Sequence, residues 1–225
     1  MTQKLKTALI LSTAMLTLSA CGTMGTTTAS SSDKSRINAA LDRAAASASM
    51  SGETSQSVKL LERVYQRDPA NEQAAIKYAV ALRDGGQPEK SALVLQSFAK
   101  APNASANASR EYAATQLELG DYNLGERYAR QAIAADSNDA QAWHVLGIAL
   151  DAKAEHEQAE VAFRKALDMW KGDPVPIMNN LALNLASQNH NEEAIEILKK
   201  AKVLAPNRIE VERNLRIIST LNEGA

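Results

Sequence analysis

Three histidines, His144, His156 and His190, are the residues best suited to acid–base or metal chemistry, because imidazole changes charge near neutral pH and ligates transition metals. No two of them stand one helical turn apart, the spacing that puts a pair of metal ligands on one helix face. His156-Glu157 begins like a zinc-protease motif, but Glu160 holds the place of the second histidine. Gly85-Gly86 is not followed by Gly-Lys-Ser/Thr and reads as a turn, not a phosphate-cradling loop. Asn103-Ala104-Ser105 and Asn107-Ala108-Ser109 match the N-glycosylation pattern, a match that bacterial export signals make accidental. The carboxylates are spread over exposed helical faces with no pair isolated as an acid and a base. A lone cysteine, Cys21, forms no disulfide within the chain. These residues indicate a protein that is not an enzyme and uses no metal, cofactor or small-molecule substrate.

The N-terminus is a targeting segment. Lys4 and Lys6 precede an apolar run from Thr7 to Ala20, too short to cross about 30 Å of hydrocarbon and of the length of a signal-peptide core. The run ends Leu18-Ser19-Ala20-Cys21, which resembles the bacterial lipobox, where lipoprotein signal peptidase cleaves before a diacylated cysteine. The resemblance implies a signal peptide over 1–20, lipidation of Cys21, and a protein held by its acyl chains without spanning the bilayer. Gly22 stands where, in that family, an aspartate would favour retention in the inner membrane, so the expected location is the periplasmic face of the outer membrane. Residues 21–36 are rich in Gly, Thr and Ser and read as a flexible linker reaching about 20 Å.

The remainder, 37–225, must fold alone. The full chain of 225 residues is 45% hydrophobic but only 4% aromatic, which suits thin helix-on-helix layers and an all-α class. Net charge is −1, and removal of Lys4 and Lys6 leaves 23 basic against 26 acidic residues. No basic field for nucleic acid is present.

Small residues set the architecture. Ser57, Ser91, Gly125, Ala159 and Ala194 recur at intervals of 34, 34, 34 and 35, and Ala45, Ala79, Ala113, Gly147 and Ala182 run in phase with them. Each unit thus has two helices that cross where the side chains are smallest. Units at 38–71, 72–105, 106–139, 140–173 and 175–208 also align large positions: Ala44, Tyr78, Tyr112, Leu146 and Leu181 at the seventh, and Leu61, Leu95, Ala129, Phe163 and Leu198 at the twenty-fourth. Gly52, Gly86 and Gly120 mark the turn within a unit. Residues 209–222, with Val211, Leu215, Ile218 and Leu221 on one face, read as a solvating cap helix.

These residues resemble the tetratricopeptide repeat. The fourth unit matches best, through Trp143, Leu146, Gly147, Ala159, Phe163 and Ala166, and the fifth through Leu181, Ala182, Leu185, Ala194, Ala201 and Pro206. Departures are Lys171 for the late proline, Gln116 at a usually apolar place, and a weakly apolar leading helix in the first unit. The implied fold is a superhelical solenoid of about five helix pairs plus a capping helix. In that family the first helix of each pair lines a concave groove for a peptide or partner helix. Its register nominates Gln73, Lys77, Arg110, Gln141, His144 and Asn180 as protein-binding residues. Asn180 matches a family asparagine that often bonds a ligand backbone, or is a solvated helix residue; Arg110 either supplies a groove charge or sits in a surface ion pair. Ala114 and Val145 stand where the carboxylate-clamp asparagines of chaperone-tail readers would be.

Signal, lipobox, Ser/Thr linker and about five repeats together resemble the assembly lipoproteins of tight adherence (Flp) pili, which implies a secretin or other pilus component as the partner. Type IV pilotins, outer-membrane protein assembly lipoproteins and adaptors for peptidoglycan hydrolases share the layout.

Overall fold

The computed structural model describes residues 31–223. The signal segment, Cys21 and the linker up to residue 30 lie outside the described residues. Among the described residues eleven α-helices follow one another: α1 Ser31–Met50, α2 Thr54–Arg67, α3 Glu72–Asp84, α4 Pro88–Ala99, α5 Ala106–Glu118, α6 Tyr122–Ala135, α7 Ala140–Ala152, α8 His156–Met169, α9 Val175–Ser187, α10 Asn191–Leu204 and α11 Ile209–Glu223. Among the described residues there is no strand. α1 begins at Ser31, so residues 31–36, read from sequence as linker, are its first turns; Asp33 there lies at the positive end of the helix dipole.

Starts and stops follow local chemistry. The side chains of Asn71, Ser105, Asp121 and Asp139 each accept a hydrogen bond from the backbone N–H three residues on, capping α3, α5, α6 and α7. Pro88 opens α4, where its missing N–H costs nothing. Inside each unit the chain reverses through a left-handed residue. Gly52, Gly86 and Gly120 take φ of 76°, 70° and 77°, and the fourth and fifth units use Ala154 and Asn189 at 61° and 63°. Asparagine tolerates that conformation, but alanine is strained in it.

All ten crossing residues are buried. A Cβ placed on Gly147 would stand 2.5 Å from Cδ1 and Cε1 of Phe163, so the α7–α8 crossing is closed by an aromatic ring lying on a bare backbone. At Gly125 the corresponding intruder would meet Cδ2 of Leu117 at 2.5 Å. Between crossings, Leu95, Tyr112, Tyr128, Leu146, Phe163, Leu181 and Leu198 form a continuous core from α3 to α11. Tyr112 and Tyr128 meet edge to face, with centroids 4.7 Å apart. Ala45, Leu61, Tyr78, Ala81 and Leu82 form a second, smaller cluster under α1 and α2.

The C-terminal helix caps the last pair, with one departure from its expected face. Val211 and Ile218 are buried, but between them lies Asn214, whose Nδ2 donates to Oδ1 of Asn179 at 2.8 Å. Leu221, expected on the packed face, is 59% exposed, as are Ile209 and Ile217 at 81% and 50%. α11 covers α9 and α10, and its outer side is mixed, with Glu210, Glu212, Arg213 and Arg216 exposed beside Ile209, Ile217 and Leu221.

Candidate protein-binding groove

The curvature follows from which helices meet. α3 packs on α5, α5 on α7, α7 on α9 and α9 on α11, whereas successive even-numbered helices are joined by side-chain bridges such as Gln131 to the Ala99 carbonyl and Arg164 to Glu193. The odd-numbered helices therefore converge on the inner face and the even-numbered ones splay on the outer face. The groove runs along the first helix of each pair.

In the middle of the groove, charge is already paired. Arg83 Nη1 donates to Glu111 Oε2 at 2.9 Å and its Nε to Glu118 Oε1 at 3.2 Å. Arg110 Nη2 meets Glu111 Oε1 at 3.0 Å, and its Nη1 reaches Asp139 Oδ2 at 2.7 Å and Asn107 Oδ1 at 3.0 Å. The other Asp139 oxygen caps α7. Glu111 and both arginines are largely buried, so α3, α5 and α7 are tied by a network with most of its lone pairs satisfied. Arg110 thus sits in an ion-pair set that bridges repeats and is largely buried, where its sequence position suggests either a groove charge or a surface pair.

Next to this network, Arg110, Glu111, Gln141, His144, Val145 and Trp170 line a cleft of about 190 Å³. His144 is held by contacts to Asn180, Phe163 and Trp170. Asn180 Nδ2 lies 3.0 Å from Nε2 and donates to it, which leaves the ring proton on Nδ1. The ring packs 6.0 Å from Phe163 and edge-on to Trp170 at 6.3 Å. Burial alone lowers its pKa from 6.5 to about 4, so the imidazole is neutral at pH 7. Asn180 is therefore the partner of His144. Gln73 and Gln141 are exposed at the starts of α3 and α7, free of the crowding that surrounds Arg110 and His144.

The first unit contributes most open space. A cavity of about 410 Å³ lies between α1, α2 and α3, walled by Ala45, Ala46, Leu61, Ile76, Val80 and Ala81. Lys77 Nζ sits at its rim, 2.5 Å from Asp42 Oδ2. Asp42 and Ala46 hold the fifth and ninth positions of the first unit, the register that nominates Ile76, Lys77 and Val80 in the second. Extending that register one unit back would have found them. Trp170, in the connection after α8, carries no repeat-register signal. Gln73, Lys77, Arg110, Gln141, His144 and Asn180 all lie on α3, α5, α7 and α9; Arg110, Gln141 and His144 share one cleft, while Lys77 lines the cavity beneath α1, so the six do not form one pocket.

Beyond the groove, Asp151, His156 and Asn184 join α7, α8 and α9. Asp151 Oδ1 lies 2.8 Å from His156 Nδ1 and accepts from Asn184 Nδ2 at 2.7 Å, and Gln188 Nε2 donates to Asn184 Oδ1 at 3.0 Å. Asn184 is fully buried. This set ties the helices together.

Tetratricopeptide-repeat family models match residues 113–174 and 175–208. A curated relative, the peroxisomal targeting signal receptor of Kluyveromyces lactis, is 27% identical over 173 residues, 74% of this chain. The chain spans about 30% of that relative's length. Among solved structures, the thermophilic protein TTC0263 of Thermus thermophilus superposes with a TM-score of 0.70 at 16% identity, covering 81% of this chain and 99% of that one. MamA of Desulfovibrio magneticus does so with 0.59 at 18%, covering 77% and 97%. At these identities the likeness is one of fold. Residues 113–208 match tetratricopeptide-repeat models, and the described residues have the all-α fold of a tetratricopeptide-repeat solenoid.

Proposed function

We propose that the chain is a lipid-anchored scaffold that holds a protein partner in its concave groove on the periplasmic side of the outer membrane, and that it assists assembly or localisation of the secretin of a tight adherence (Flp) pilus. The observation that carries the reading is the face formed by α3, α5, α7 and α9, whose polar groups are mostly bonded to each other and which opens into apolar space at its N-terminal end. A face of this kind offers shape and a few hydrogen bonds to another chain. The anchor rests on the Leu18-Ser19-Ala20-Cys21 motif, and the secretin on the likeness of the whole layout to TadD-type lipoproteins.

Deletion of the gene tests the role. The expected result is a cell without Flp pili in which the secretin is depleted or found in the inner membrane on fractionation. Normal piliation with the secretin at its usual level and location refutes the assignment. Loss of outer-membrane proteins, or accumulation of peptidoglycan hydrolases, would instead favour an assembly lipoprotein or a hydrolase adaptor.

A further inference from the structure

We propose that the cavity between α1 and α3 is the anchor site of the groove, and that it takes a partner segment carrying an aliphatic or aromatic side chain next to a lysine or arginine. The inference rests on the groove being a protein-binding face, as proposed above, and names the chemistry it selects.

The cavity has a structural cause. On the α1 side the residues that line it are Asp42, Ala45, Ala46 and Ser49, none of them a large apolar side chain that could fill the space. Successive odd-numbered helices pack on one another from α3 onward, but α1 packs on α2 and stands off from α3. The resulting space of about 410 Å³ is walled by methyl groups of Ala45, Leu61, Ile76 and Val80. It lies within the size range of natural ligand pockets, and an apolar wall gives water few hydrogen bonds to keep it there.

The rim selects the neighbour of the inserted side chain. Asp42 and Asp84 line the cavity with Lys77 as the one cation among the lining residues, so carboxylate is in excess. Asp42 Oδ2 accepts from Lys77, while Oδ1 is buried without a partner. A buried acceptor left unpaired is costly and calls for a donor. The Lys77–Asp42 pair is partly exposed and therefore weak enough to exchange. Rotation about χ2 turns either oxygen toward an incoming ammonium or guanidinium. A second copy presenting this same face would set Asp42 and Asp84 against their own counterparts, which disfavours self-association here.

The test is selection of random dodecapeptides, displayed on phage, against the full chain, followed by fluorescence anisotropy of the enriched peptides. Enriched sequences should pair Leu, Ile, Phe or Trp with Lys or Arg one or two residues away. Ala46→Trp fills the cavity from an exposed helical position and should abolish binding with the circular dichroism of the folded chain retained. Asp42→Asn should weaken binding about tenfold. Lys77→Met should strengthen it, an effect that a merely structural role for the pair would not produce. Enrichment of acidic peptides, no enrichment, or binding that survives Ala46→Trp overturns the proposal. If crosslinking from Gln141 in cells still captures a partner in the Ala46→Trp chain, the anchor site fails while the scaffold role stands; if Gln141 captures nothing in the unaltered chain, the scaffold role itself fails.

Discussion

Acidification should destabilise the middle of the solenoid through one side chain, His144. Its imidazole lies between Phe163, Trp170 and Asn180, and burial lowers its pKa from the ordinary 6.5 to about 4. Above pH 6.5 both folded and unfolded forms hold a neutral ring, and the shift contributes nothing to the pH dependence. Between pH 6.5 and 4 the unfolded chain takes up a proton that the folded chain refuses, so stability falls as pH falls. Integration over that window gives a loss of about 2 kcal/mol by pH 5 and about 3 kcal/mol below pH 4. His144→Gln removes the titration while keeping an acceptor for the Asn180 amide. Urea titrations of both proteins at pH 7, 6 and 5, followed by circular dichroism, isolate the effect, because the other histidines and the carboxylates are common to both. The stability gap between the two proteins should shift by about 2 kcal/mol toward the variant on going from pH 7 to pH 5. A gap that stays constant across this range, or an NMR titration of the His144 ring near 6.5, would refute the reasoning.

The crossings and the ion-pair network give further expectations. Gly147→Ala drives a methyl into the Phe163 ring and should cost about 1–3 kcal/mol by thermal unfolding; Gly125→Ala should cost less, because the end of Leu117 can swing away. Ala154→Gly relieves a left-handed alanine and should stabilise by up to about 1 kcal/mol, read as a rise in Tm. Glu111→Ala leaves Arg83 and Arg110 short of a partner in a largely buried place and should cost about 3 kcal/mol in urea. Lys77→Ala breaks only the partly exposed pair with Asp42 and should cost less than about 1 kcal/mol.

What can be read from sequence is what repeats. The two series of small residues mark every crossing, because close backbone approach allows few residue types and the requirement returns in each unit. The turn within a unit is legible where glycine fills it, at Gly52, Gly86 and Gly120, but not at Ala154, whose type gives no sign of its positive φ. The start of α1 is misread because Ser31, Ser32 and Asp33 look alike in a linker and in a first helical turn. The groove is legible only as a register. Arg110 stands on the expected face, yet whether its charge is free depends on Glu111 beside it and on Asp139 in the next unit, a geometry that spacing does not carry. The cavity beneath α1 is lined on that helix by small residues, Ala45, Ala46 and Ser49, and a pattern of alanines does not say whether the neighbouring helix closes in or stands off.

The central claim is that the inner face of the solenoid holds another protein. A photo-crosslinking residue placed singly at Gln73 and Gln141, both exposed on the inner helices, and at Val161, exposed on α8 of the outer face, tests it in intact cells. The expected result is one discrete crosslinked species from Gln73 and Gln141, identified by mass spectrometry as the secretin, and none from Val161. Crosslinks confined to Val161, or none from the inner face, would contradict it.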